Sequence, residues 1–117
     1  MELQFSDDIT LKWATLESQL IAQFGKKPDV NAILFLIGID ELGFVKDKIT
    51  KEQKQDLMHI ATCKLLSYSG YYLLEGLDKD GWPHYVATDS LPPFNLMEQE
   101  QLLKTHIVYH FEQIDVL

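Results

Sequence analysis

The chain has no arginine: its ten cationic side chains are all lysines, against 18 aspartates and glutamates, so the formal net charge is −8. Proteins that bind nucleic acid neutralise phosphates with cationic side chains, and they commonly read bases with the bidentate guanidinium group of arginine. This chain has neither feature. Its composition therefore disfavours nucleic acid and anionic membrane surfaces as partners.

Cysteine is almost absent as well, because Cys63 is the single one, and an intramolecular disulfide is excluded. A chain without disulfides suits the reducing cytoplasm, which is the location we expect. The first residues, MELQFSDDIT, are acidic and amphipathic, unlike the basic and then apolar start of a secretory signal. No apolar run approaches the roughly 20 residues of a membrane span, so no membrane association is expected.

A length of 117 residues predicts one globular domain, over residues 1–117, with a single core. The segment DVNAILFLIGIDELG, residues 29–43, is apolar on nearly every side, which predicts a helix at the centre of that core. Asp29 suits the N-cap position and Gly43 suits a left-handed C-terminal stop. The β-branched residues of the segment leave a buried strand as the alternative.

An apolar stripe predicts another helix in the amino-terminal part of the chain. This helix should begin at Ser6 or Asp7 and end at Phe24, just before Gly25. Its apolar residues recur at steps of three and four, as on one face of a helix. They are Ile9, Trp13, Leu16, Leu20 and Phe24.

Two capping boxes mark the starts of two more helices. Thr50 followed by Gln53 predicts a third helix from Lys51, and Asn95 followed by Glu98 predicts a fourth. The core face expected on the third helix consists of Leu57, Ile60, Ala61, Leu65 and Tyr68.

Between these two helices the apolar pattern changes to that of strands. Residues 71–75 and 82–87 flank the turn sequence Asp-Lys-Asp-Gly at residues 78–81, which predicts a β-hairpin. The strands are grouped together and do not alternate with helices. The fold class is therefore α+β: four helices, with one two-stranded antiparallel hairpin between the third and the fourth.

Helices followed by a two-stranded hairpin resemble the winged-helix group of helix-turn-helix domains, and the matching stretch is Thr50–Thr88. The resemblance implies that the helix ending LLSYSG enters the major groove and that YYLLEGLDKDGWPHYVAT forms the wing. Lysines 46, 48, 51 and 54 lie near the start of that helix, but the tip of the wing is mostly acidic. QDLMHIATCKLLS and EGLDKDGWPHY also resemble small bacterial proteins to which no activity is attached.

A metal site is the sharpest chemical candidate. His59 and Cys63 are four residues apart on the third helix, and His106 and His110 are four residues apart on the last. This spacing places each pair on one helical face, and two facing pairs would give zinc a tetrahedral set of nitrogen and sulfur ligands, with Asp56 beside it. The alternative is ordinary: His110 as a core histidine, Cys63 as a small buried side chain and His59 as a surface residue.

Catalytic interpretations have less support. Cys63 with His59 as its base is one possibility, although residues one turn apart on a helix rarely have the required geometry. Glu41 and Glu75 as paired carboxylates are another. No glycine-rich phosphate loop, nucleophile elbow or zinc-protease motif occurs, so the sequence favours a protein that is not an enzyme.

The hairpin concentrates rigid aromatic side chains on an element too small to bury both of its faces. Aromatic side chains within a polar rim are typical of protein–protein contact surfaces, and a strand edge can pair with a second copy in a homodimer. The sequence therefore favours a protein-interaction or assembly module, followed by the zinc protein and then the winged-helix nucleic-acid binder. The predicted interaction surface consists of Tyr71, Tyr72, Trp82, Pro83, His84 and Tyr85.

Overall fold

The computed structural model describes residues 7–43 and 48–114. It confirms the predicted α+β fold, four helices with one two-stranded antiparallel hairpin between the third and fourth helix, in winged-helix-like order. The predicted alternative start at Ser6 lies outside the described residues. The elements are α1 (Asp7–Phe24), α2 (Val30–Leu42), α3 (Lys51–Ser67), β1 (Tyr72–Leu77), β2 (Pro83–Ala87) and α4 (Leu96–Gln113).

Contacts along the backbone divide the chain into two compact units. The central unit, Val30–Pro92, contains α2, α3 and the hairpin. The terminal unit comprises the described parts of Met1–Asp29 and Pro93–Leu117, and therefore α1 and α4. The single domain expected from the chain length stays a prediction.

Helix α2 is the predicted apolar helix, and the alternative of a buried strand is wrong. It ends at Leu42, and the next residue, Gly43, adopts a left-handed conformation (φ +80°) and donates its N–H to the carbonyl of Ile39 over 3.1 Å. Although the helix is apolar on nearly every side, it is buried on one face. The buried residues are Ile33, Leu34, Ile37 and Gly38.

Helices α2 and α3 approach closely at Gly38. A Cβ atom built on Gly38 would overlap the backbone carbonyl of Leu57 on α3. Only glycine permits two helix backbones to come so near, because any other residue places a carbon atom in that space. Gly38 therefore fixes the spacing of the two helices, and with it the position of the α3 face that meets the hairpin.

Helix α3 starts with the predicted capping box. The N–H of Gln53 donates to the hydroxyl of Thr50 over 3.0 Å, and the N–H of Thr50 donates to the side-chain carbonyl of Gln53 over 3.0 Å. Its buried face is broader than predicted, because Cys63 and Leu66 are buried in addition to the predicted residues, while Tyr68 is only half-buried. Both strands of the hairpin pack against this helix.

The hairpin register decides which side chains share a face. Leu73 lies opposite Val86, and Leu74 lies opposite Tyr85. A bulge at Glu75 then shifts the pairing, so that Gly76 lies opposite His84. Because successive side chains of a strand alternate between faces, Leu73 and Val86 lie on one face and Tyr85 on the other.

In the terminal unit, α1 packs against α4. The ammonium of Lys12 lies 3.0 Å from a carboxylate oxygen of Glu112, and the ammonium of Lys104 lies 5.4 Å from the ring centre of Trp13. Helix α4 starts with the predicted capping box at Asn95. Among the described residues, no helix combines the length and the apolar character needed to cross a membrane.

Candidate functional site

A cleft of about 420 Å³ lies between α3 and the hairpin, within the central unit. It unites two groups of residues that the sequence presents as separate candidates, the His59–Cys63 pair and the aromatic segment Trp82–Tyr85. The lining residues are Gln53, Asp56, His59, Ile60, Cys63, Asp78, Asp80, Trp82, Pro83, His84 and Tyr85.

On the α3 side of the cleft, the predicted neighbours His59 and Cys63 do meet. Nε2 of His59 lies 3.5 Å from Sγ of Cys63, as their spacing of one helical turn allows. Cys63 is buried, and burial raises the pKa of its thiol to about 11. Because the thiolate is the nucleophile, a thiol with this pKa is a poor one at neutral pH. Burial therefore does not favour Cys63 as a catalytic residue, although His59 lies beside it.

On the hairpin side, Asp78 organises the turn. One of its carboxylate oxygens accepts hydrogen bonds from the backbone N–H groups of Asp80 (2.8 Å) and Trp82 (3.0 Å). Its other oxygen lies 3.1 Å from Nε2 of His84. The hydrogen bonds from Trp82 and His84 lower the pKa of Asp78 below its usual value, so this carboxylate is ionised at the mouth of the cleft at neutral pH.

The next residues of the hairpin form the wall that faces α3. Pro83 is buried and Tyr85 is half-buried. Burial raises the pKa of Tyr85 to about 12, and the charges of Glu41 and Cys63 add to the rise, so its phenol is neutral at physiological pH. Tyr85 is thus placed on the inner face of the hairpin.

The predicted aromatic surface is therefore distributed between inner and outer positions. Tyr71, Tyr72 and Trp82 are half-buried, and His84 is exposed. The large apolar side chains that the hairpin does expose are aliphatic, and the sequence does not mark them as a surface, because leucine in a strand pattern indicates a core position. They are Leu73, Leu74, Leu77 and Val86.

The four predicted zinc ligands are divided between the two units. His59 and Cys63 belong to the central unit, and His106 and His110 to the terminal unit. Both terminal histidines are buried; burial lowers the pKa of His106, whose Nδ1 lies 2.7 Å from the carbonyl oxygen of Leu102. Within residues 7–43 and 48–114, no group of three or more histidine, cysteine, aspartate or glutamate side chains is arranged to hold a metal ion.

The carboxylates considered for catalysis have other surroundings. Glu41 lies 3.8 Å from the ammonium of Lys64, and Glu75 is exposed at the hairpin bulge. Of the lysines near the predicted recognition helix, Lys51 and Lys54 are exposed on α3, while Lys46 lies outside the described residues.

Sequence reasoning also missed the two turn carboxylates, Asp78 and Asp80, as members of a site. The signal was present, because aspartate at the first position of a turn commonly accepts hydrogen bonds from backbone N–H groups further along the chain. The sequence does not show, however, that this turn lies beside α3.

No family model, curated protein sequence or solved structure matches the chain significantly.

Proposed function

We propose that the chain is a protein–protein interaction module that assembles with a second copy of itself through its hairpin. The observation that carries this proposal is the exposure of the cross-strand pair Leu73 and Val86, 58% and 43%, on the hairpin face opposite Tyr85. Leu74 and Leu77 are also exposed, 54% and 67%. Leu74 pairs with Tyr85 and Leu77 with Pro83, which places both on the other face, so we call Leu73 and Val86 alone the exposed hairpin surface.

Burial of this surface would be favourable. A leucine or valine side chain contributes about 1.5–3 kcal/mol when it moves fully from water into an apolar contact. A two-stranded sheet also gains stability when it packs against a further layer. A two-fold dimer satisfies both conditions at once, because the same surface of each copy covers the other.

The remaining features agree with this proposal. The partner is a protein, the second copy, and a net charge of −8 with no arginine gives no support to nucleic acid. We infer a cytoplasmic location, which the single free cysteine supports. Among the described residues, nothing specific favours the zinc or winged-helix alternatives, so self-assembly is the function we put to the test.

The test removes the apolar pair without weakening the hairpin. Leu73→Lys combined with Val86→Glu places opposite charges across the two strands, which supports strand pairing, and leaves the net charge unchanged. Sedimentation velocity over a range of concentrations should show a dimer for the wild-type chain and a monomer for this double variant. Thermal unfolding should show that the variant is folded.

The matched control places the same charges on exposed leucines of the terminal unit. Leu11 and Leu96 are 68% and 86% exposed, so Leu11→Lys combined with Leu96→Glu should remain a dimer. A wild-type chain that stays monomeric at the highest attainable concentration overturns the proposal. A folded hairpin variant that still dimerises overturns it as well.

A further inference from the structure

The cleft between α3 and the hairpin has the size of a ligand site. Its volume of about 420 Å³ lies within the range of roughly 300–1,000 Å³ that small-molecule sites occupy. Three of the residues that line it, Ile60, Cys63 and Pro83, are buried. It lies on the Tyr85 side of the hairpin, and so is distinct from the Leu73–Val86 pair.

Acidic side chains line the cleft, together with His59 and His84. Asp56, Asp78 and Asp80 line it, and none of the lysines in the described part of the chain does. The hydrogen bonds of Asp78 keep that carboxylate ionised. An anionic ligand would therefore be repelled, and a neutral ligand would gain nothing from the three carboxylates.

The arrangement also distinguishes between kinds of cation. No three acidic, histidine or cysteine side chains among the described residues converge closely enough to coordinate a metal ion. The carboxylates are instead combined with two half-buried aromatic rings, those of Trp82 and Tyr85. Aromatic faces attract organic ammonium groups, which are larger and more weakly hydrated than metal ions, and tryptophan is the most effective ring.

We propose that the cleft binds an organic ammonium ion. The ammonium group lies against Trp82 and Tyr85, and Asp56 and Asp80 neutralise its charge from the two sides of the cleft. Asp78 holds the turn that carries Asp80 and Trp82, through its hydrogen bonds to their backbone N–H groups. The ammonium group can belong to a free quaternary amine or to a lysine side chain of another protein, and the experiment distinguishes these sources.

The chain provides its own optical probe. Trp13 and Trp82 are the two tryptophans, and Trp13 belongs to the terminal unit. In the full-length Trp13→Phe variant, fluorescence reports on Trp82 alone. Titration with choline should give a saturable change. The neutral isostere of choline, in which carbon replaces the quaternary nitrogen, should give none at the same concentrations.

Charge variants test the position of the ligand. Asp56→Asn combined with Asp80→Asn, in the Trp13→Phe chain, should weaken choline binding by about tenfold, since each partly exposed charge contact contributes modestly. The matched control, Glu75→Gln combined with Asp89→Asn, removes two exposed charges of the same unit that do not line the cleft. It should leave the affinity unchanged.

Competition identifies the source. The competitor is lysine with an acetylated α-amino group and a methylamidated carboxyl group, which keeps its side-chain ammonium. If this compound displaces choline, the ligand is a protein side chain; if it does not, the ligand is a free quaternary amine. Absence of saturable binding overturns the proposal, as does equal binding of the neutral isostere or an equal loss in the control variant. The monomeric Leu73→Lys, Val86→Glu variant should bind choline normally, so failure of either proposal is visible independently of the other.

Discussion

At the scale of single residues, the burial of Cys63 has the clearest chemical consequence. Its thiol is about 1% exposed and its pKa is raised from 9.0 to about 11 by burial. A rise of this size lowers the thiolate fraction at neutral pH by about a hundredfold. The side chain therefore behaves as an apolar part of the contact between α3 and the hairpin, despite its histidine neighbour.

We expect Cys63 to resist alkylation in the folded chain. Iodoacetamide reacts with the thiolate, so the folded protein should react about a hundredfold more slowly than the chain unfolded in urea at the same pH. Mass spectrometry of samples quenched at successive times measures both rates, and the single cysteine makes the result unambiguous. Equal rates would show that the thiol is accessible and ionises normally.

The same shift predicts how stability depends on pH. Because the pKa of the Cys63 thiol is higher in the folded chain than in the unfolded one, the protonated thiol stabilises the folded state. This contribution to the free energy of unfolding is complete below pH 9.0 and is lost as the pH rises to about 11. Urea unfolding across this interval should show a loss for the wild-type chain that is smaller for Cys63→Ala. Tyr85, with its pKa raised from 10.0 to about 12, causes a further loss between these values in both chains, which overlaps the upper part of the Cys63 interval.

The sequence could predict the capping residues, whereas it offered the burial of Cys63 only as the alternative to a metal ligand. Thr50 with Gln53 and Asn95 with Glu98 act over three residues, so their hydrogen bonds follow from the local sequence alone. Cys63 is not part of the core face that the helical pattern predicts for α3. It is buried because the hairpin packs there, and the sequence does not reveal where a hairpin folds back.

At the scale of elements, the contact between α2 and α3 depends on Gly38. Alanine is a better helix residue than glycine by about 1 kcal/mol, so Gly38→Ala should stabilise an isolated helix. Here the added methyl group meets the backbone of Leu57, which no change of side-chain rotamer can relieve. We expect a net loss of about 1–3 kcal/mol in the free energy of unfolding.

Urea unfolding of Gly38→Ala measures this loss, and Ala32→Gly provides the comparison. Ala32 is an exposed residue in the first turn of the same helix, so its replacement by glycine should cost less than the ~1 kcal/mol that glycine costs in a helix interior. The two substitutions should therefore both destabilise, although they change helix propensity in opposite directions. A Gly38→Ala chain that is more stable than the wild type would contradict the close approach of the helices.

Element types were more predictable than the surfaces they expose. The bounds of α1 and α2 and the presence of the hairpin follow from apolar periodicity, glycine and turn residues, which are local properties, although β1 ends at Leu77, two residues beyond the predicted end. The inner and outer faces of the hairpin depend on which side meets α3. Aromatic content marked Trp82 and Tyr85 as surface candidates, whereas the structure places them on the cleft and exposes Leu73 and Val86.

At the scale of the whole molecule, the net charge of −8 opposes the assembly that the exposed hairpin surface favours. Two copies that approach each other repel at long range, and salt screens this repulsion over a Debye length of about 10 Å at 0.1 M. Apolar contact between leucines is not screened in this way. Dimerisation through the hairpin should therefore become stronger as sodium chloride is added.

Choline binding should respond in the opposite direction, because attraction between an ammonium ion and carboxylates is screened by the same salt. Sedimentation and tryptophan fluorescence, measured on one salt series of the Trp13→Phe chain, should show a rising dimer fraction together with a falling choline affinity. A dimer that dissociates as salt rises would be held by ion pairs instead of by Leu73 and Val86. A choline affinity that is insensitive to salt would remove the carboxylates from its binding, and leave only the apolar walls of the cleft.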